Sequence, residues 1–505
     1  MRTSQLAAFS CGLATAAAVS VARASAADSL PRRESYLVPQ NANTAKFAVD
    51  GTALPDVGFD IGESYAGLLP ISNNETDRSL YFWFFPTADP EGQDEITIWL
   101  NGGPGCSSML GLLQEHGPFL WIPGTLKPVK NEWSWNGLTN MVYIDQPVGT
   151  GFSTGAPRVT SEEQIAAEFM GFWRNFIDTF SLHGKKVYLT GESWAGYYVP
   201  YIASAMLDSA AATAASSNSS KPDKYFNVKG SLIYNGLIGA SDTQGDGEVV
   251  PFIERWSQFF NLNASTIAEA RAVHESCGYK AYKETYFTYP PPQVPFPFNE
   301  ASWEDGCSVW SIVYDAVLRI NPCFVEYDIT ARCPKPWNVL GETGAIDYVP
   351  DGYEIYFNRT DVKKAINAPP SKPWSQCVRG VYRERNAPSS LTVLPGVIER
   401  SDRTVIAHGH WDFALIDSAT RFSIQNMTWG GKQGFQEEPR DKFFVPYELS
   451  HDGRAGAGEM GITHTERGLT WVENFGAGHL VPQFVPAASY RQLQFLLGRI
   501  DSLTE

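Results

Sequence analysis

What this 505-residue chain has little of narrows its function before any motif is read. Basic residues are scarce: 39 Lys and Arg stand against 55 Asp and Glu, a formal charge of −16. A nucleic-acid partner is therefore not expected, because binding a polyphosphate needs a basic surface. Beyond the first 26 residues no apolar run is long enough to cross a bilayer. The end Asp501-Ser502-Leu503-Thr504-Glu505 reads neither as a lipid-anchor tail nor as a retention signal, so no membrane association is expected. No CxxC pair occurs and the cysteine spacings are irregular, which argues against zinc. His408 and His410 lack further ligands at a suitable spacing, so the reading is no metal and no cofactor.

What is present begins at the N-terminus. Arg2, the apolar stretch Leu6 to Ala22 and the small-residue end Ala24-Ser25-Ala26 have the three parts of a secretory signal peptide over residues 1–26. Its removal takes away Arg2, Arg23 and Cys11, and the charge falls from −16 to −18. Six cysteines remain: Cys106, Cys277, Cys307, Cys323, Cys333 and Cys377. An even set on an oxidising route predicts three disulfides. Five N-x-S/T triplets, at Asn74, Asn218, Asn263, Asn358 and Asn426, are candidate glycosylation sites. The predicted location is secreted or vacuolar.

Buried strands are predicted in Leu80 to Phe85 and Ile96 to Leu100, and further strands at Met141 to Ile144, Lys186 to Thr190 and Thr404 to His408. Helices are predicted at Ser161 to Leu182 and Ala195 to Leu207. This alternation points to an α/β fold with a mostly parallel sheet covered on both faces. Residues 239–373 break the rhythm. They hold four of the six cysteines and the run Tyr289-Pro290-Pro291-Pro292-Gln293-Val294-Pro295, and read as a disulfide-rich cap inserted into a single catalytic domain spanning 27–505. The Ala- and Ser-rich Ser209 to Ser220 reads as a mobile, glycosylated loop.

The chemistry centres on Thr190-Gly191-Glu192-Ser193-Trp194-Ala195-Gly196, set between a strand and a helix. That context makes it a nucleophile elbow, with the Ser193 hydroxyl lifted above the strand end. Serine needs a base, and the base an orienting carboxylate. His479, in the small-residue loop Gly476-Ala477-Gly478-His479, and Asp412, just after a late strand, follow in the order Ser, Asp, His. Asp412 reads equally as a turn aspartate capping the next helix. Amides of Gly103 and Trp194 are the candidate donors to an oxyanion.

Four blocks in order resemble the serine carboxypeptidases, exopeptidases on an α/β-hydrolase fold with an inserted cap. They are Trp99-Leu100-Asn101-Gly102-Gly103-Pro104-Gly105-Cys106-Ser107-Ser108, Asp145-Gln146-Pro147-Val148-Gly149-Thr150-Gly151-Phe152-Ser153, Gly191-Glu192-Ser193-Trp194-Ala195-Gly196 and Gly478-His479-Leu480-Val481-Pro482. The resemblance implies Ser193 as nucleophile, His479 as base, Asp412 as its partner, and peptide or protein C-termini as substrate. It implies that Trp99, Asn101, Gly102, Glu115 and Glu192 bind the substrate carboxylate, that Leu110, Gln114 and Leu480 line the leaving-residue pocket, and that Cys106 pairs with Cys377. The pairing of the other four cysteines stays open.

Two glutamates facing a carboxylate is a paradox that a proton resolves. If Glu115 and Glu192 are close and buried, one keeps its proton at acidic pH and donates a hydrogen bond. Departures from the family pattern are Trp194 where tyrosine is common, His410 where an aspartate is frequent, and Leu480 in place of methionine. An esterase or acyltransferase on the same scaffold, and a non-catalytic binding glycoprotein, are the competing readings.

Overall fold

The computed structural model describes residues 37–39, 41–217, 222–341, 354–383, 386–450 and 456–505; the expected signal segment 1–26 and the sequon at Asn218 lie outside them. Eleven strands form one sheet: β1 Ala48–Val49, β2 Ser64–Ser72, β3 Glu75–Phe85, β4 Glu95–Leu100, β5 Asn140–Asp145, β6 Lys186–Glu192, β7 Asn227–Tyr234, β8 Arg403–Gly409, β9 Asp441–Val445, β10 Gly458–Glu466 and β11 Leu469–Asn474. Their order is β1-β2-β3-β5-β4-β6-β7-β8-β11-β10-β9. The six strands from β5 to β11 along that order are parallel. The outer strands on both sides run antiparallel.

The aromatic run of β3 shows why the strands read as unbroken apolar stretches. Side chains alternate across a strand, so Leu80, Phe82 and Phe84 enter one core while Tyr81, Trp83 and Phe85 enter the other. A sheet buried on both faces needs apolar residues at both parities. The first core is closed by α1 Glu162–Phe180 and α2 Ala195–Ser217. The Ser161 side chain caps α1 by accepting from Gln164 N, with Glu162 and Glu163 favourably placed in its positive first turn.

One expectation is corrected. Ser209 to Ser217 is helix, the last turns of α2, not a loop; alanine is the strongest helix former and outweighs the serines. The region 239–373 has its own helical order: α3 Val249–Arg255, α4 Ala264–Ser276, α5 Tyr279–Tyr286 and α6 Val309–Ile320. These helices share a core of their own with Phe413 and Ile416, just beyond β8. The later stretch behaves differently, since Trp337, Tyr356 and Phe357 pack into the core of the sheet. Three disulfides join Cys106 to Cys377, Cys277 to Cys307 and Cys323 to Cys333. No helix among the described residues is long and apolar enough to cross a membrane.

Candidate active site

Five parallel strands lead into the site. β6 runs into Ser193, whose φ of 62° is left-handed, a strained setting for a residue with a side chain. The turn holds because its flanks are bare: a Cβ at Gly191 would come within 2.3 Å of Leu100 O, and one at Gly196 within 2.3 Å of Leu237 O. Ser193 N donates to Tyr234 O at 2.9 Å and Leu237 N donates to Ser193 O at 2.9 Å, so β7 braces the elbow from the side.

From the end of β8 comes Asp412, fully buried. Its Oδ1 accepts from Ala414 N (3.0 Å) and Leu415 N (3.1 Å), and its Oδ2 from Asn235 Nδ2 at 2.7 Å. The same Oδ2 lies 2.6 Å from His479 Nδ1, which assigns the proton to Nδ1 and leaves Nε2 as the basic nitrogen. Burial works against a charged His479, yet the Asp412 charge and hydrogen bond, with Glu192 and Glu326, hold its pKa above the ordinary value. The Gly102-Gly103 turn after β4 closes on the elbow: a Cβ at Gly102 would meet Trp194 N at 2.4 Å and Ser193 Cβ at 2.8 Å.

Beside the elbow sits an acid pair with no Lys or Arg ion-pair partner among the described residues. Trp99 Nε1 and Gly111 N both donate to Asn101 Oδ1, at 2.8 and 3.1 Å. That orients the amide, so its Nδ2 faces Glu192 Oε1 (2.6 Å) and Glu115 Oε1 (3.4 Å). Both carboxyls thus accept from one amide, and a proton held by the pair relieves their repulsion. Oε2 of each is buried with no donor among the described residues. Burial, and then the charge of Glu192, push the Glu115 pKa well above the usual carboxylate range; burial raises Glu192 too, opposed by His479 and Asn101.

A family model described as serine carboxypeptidase matches residues 55–498. The chain belongs to the serine carboxypeptidase family. A probable serine carboxypeptidase of Arthroderma benhamiae is 50% identical over 482 residues, covering 92% of this chain and 88% of that protein. Serine-type carboxypeptidase F of Aspergillus niger is 45% identical, with the same coverage of 92% and 88%. The crystal structure of a prohormone-processing carboxypeptidase from Saccharomyces cerevisiae superposes with a TM-score of 0.69 at 23% identity, over 92% of this chain and 98% of that one; it shares the α/β-hydrolase fold. This chain is accordingly a serine-type carboxypeptidase.

Leu110 is buried in the sheet core and Leu480 packs against it half-exposed, while the buried Gln114 donates through Nε2 to Asn338 Oδ1 at 2.7 Å. Trp194 rests its ring on Tyr197 and donates from Nε1 to Glu162 Oε1 at 3.0 Å. Its indole thereby reaches the first turn of α1. His410 engages Glu473 Oε2 at 2.8 Å and Arg255 Nη2 at 3.0 Å, while His479 engages Asp412.

His410, Asp417 and Glu473 have ligand atoms within 4.8 Å of one another. Arg255 pairs with Asp417 at 3.1 Å and Arg421 with Glu473 at 3.0 Å, so two guanidinium charges already hold those oxygens and the cluster does not suit a cation. Asn235 escaped the sequence reading, its only signal being a lone Asn at the end of an apolar strand.

Proposed function

We propose that this enzyme removes the last residue of a peptide through an acyl-enzyme and works best in acid. Ser193 Oγ attacks the last peptide carbonyl as His479 Nε2 takes its proton. The Gly103 and Trp194 amides donate to the oxyanion, His479 returns the proton to the departing amine, and water then repeats the cycle on the ester. The substrate's terminal carboxylate meets Asn101, the Gly102 amide and the protonated Glu115–Glu192 pair, with Leu110, Gln114 and Leu480 beside the leaving side chain.

One observation carries this reading: a buried acid pair next to the nucleophile, the outer oxygen of each carboxyl having no hydrogen-bond partner among the described residues. Such a pair binds an anion only while it holds a proton. For an N-blocked dipeptide, KM is expected to rise as pH approaches neutrality, while KM for the matching C-terminal amide stays level. Parallel rises for both substrates would refute the protonated-pair mechanism. Passage through the secretory route is supported by the three disulfides. Among the described sequons, Asn74 and Asn263 are exposed, whereas Asn358 and Asn426 are half-buried; glycans are proposed at the exposed pair.

A further inference from the structure

The loop closed by the Cys323–Cys333 disulfide touches both catalytic loops at once. Glu326 O accepts from Phe413 N (2.8 Å) and Ala414 N (3.0 Å), the residues directly after Asp412. Tyr327 O accepts from His479 N at 2.8 Å, and the Tyr327 ring lies 4.8 Å from the imidazole. Ile329 N donates to Trp411 O at 3.1 Å, just before Asp412. A Cβ at Gly478 would come within 2.4 Å of Tyr327 O, so the small residue before His479 is what admits the loop.

The loop is itself anchored away from the site. Asn321 Nδ2 donates to Ala331 O at 2.8 Å across its base, and Arg332 Nη2 to Phe259 O at 3.0 Å. Four backbone hydrogen bonds thus run from one cross-linked loop to the segments that carry the base and its carboxylate. These segments are also joined by the 2.6 Å Asp412–His479 bond and by the backbone bonds Trp411 N to Ala477 O (2.8 Å) and His410 N to Asn474 O (3.2 Å).

We propose that the Cys323–Cys333 loop is a clamp that sets the His479–Asp412 geometry, with Tyr327 as its positioning residue. The inference rests on Ser193 chemistry but not on which substrates enter. Tyr327 is 41% exposed, so shortening it opens no core cavity and Tyr327→Ala should fold. Misplacing a base by a fraction of an ångström slows every reaction that uses it. Tyr327→Ala should therefore lower kcat about tenfold, by the same factor for substrates with different penultimate side chains, with KM little changed. It should slow organophosphonate labelling of Ser193 to a like degree, a reaction that needs no terminal carboxylate. Tyr327→Phe, which keeps the ring, should restore both.

The double variant Cys323→Ser/Cys333→Ser, checked for an unchanged melting transition of the remaining fold, should show a loss at least as large. A KM effect that varies with the penultimate residue, at constant kcat and constant labelling rate, would make Tyr327 a substrate wall and overturn the clamp. Full activity in Tyr327→Ala would strip the ring of its positioning role, and full activity in the double cysteine variant would overturn the clamp itself, whose four hydrogen bonds are made by backbone atoms. Carboxypeptidase activity absent from the parent enzyme, with labelling intact and sensitive to Tyr327, would instead indict the proposed substrate and leave the clamp standing.

Discussion

Two buried acid clusters flank the same catalytic loops and resolve their charge in opposite ways. Around Glu115 and Glu192 the partners are an amide, an indole-oriented network and each other, and burial drives the carboxyls toward the neutral form. Around Asp417 and Glu473 stand Arg255, Arg421 and His410. Burial alone would raise Glu473, but Arg421, and then the His410 hydrogen bond and charge, take its pKa down to about 2. Depth is nearly equal, so the partner decides the protonation state. The first cluster stays available to a ligand's charge. The second is spent on holding β8, β11 and the cap residue Arg255 together.

The sharpest way to break this contrast is to remove one partner from each. Arg421→Met leaves Glu473 buried with His410, the Trp471 indole and the charge of Arg255, and should cost up to about 3–5 kcal/mol in urea unfolding at pH 7, the usual penalty for breaking a buried ion pair. Glu115→Gln orphans no cation and should change stability by about 1 kcal/mol or less. Equal losses would mean the clusters are electrostatically alike.

Next in size is a binding effect. An amide donates without needing a proton, so Glu192→Gln should retain binding of a free-carboxylate dipeptide at neutral pH and flatten the climb of KM with pH. A variant whose KM still climbs as steeply as the parent's would show that the pH response arises elsewhere.

These clusters also mark how far the sequence could be read. The elbow was legible because its demands are local: Gly191 and Gly196 are bare since backbone carbonyls lie where a Cβ would sit. The parallel sheet was legible through strand-helix alternation, and the double-sided burial of β3 through its unbroken aromatics. The meeting of Glu115 with Glu192 came only from resemblance to a family. Nothing local announces it, since a π-helical turn at Leu112–His116 carries Glu115 and the amide that joins the pair is 91 residues from Glu192. Asn235, Tyr327 and Arg421 were not legible. Each acts through partners far along the chain, Asn235 across 177 residues, and none carries a spacing that would betray it. The cap helices were missed for another reason, because prolines and cysteines obscured the helical period of segments as short as α3.

The smallest expected effect is on stability against pH, because the two clusters pull in opposite directions. Glu473 has its folded pKa lowered from 4.5 to about 2, so its contribution is full above 4.5 and is lost as pH falls toward 2. Glu115 and Glu192 have folded values raised above 4.5. The native state then holds protons that the unfolded chain has released, and their contribution is lost as pH rises from 4.5 through the folded values. Asp145, lifted by burial from 3.8 to about 6, adds to that second arm. Urea midpoints measured from pH 3 to 8 should therefore peak in mild acid and decline on both sides. Glu115→Gln should lift only the alkaline side, since it deletes a proton the native state must keep and leaves Arg421 with its partner. A parent curve highest at neutrality, with the variant running parallel to it, would mean that the acid pair ionises in the folded enzyme as freely as in the unfolded chain, and the carboxylate pocket would lose its donor.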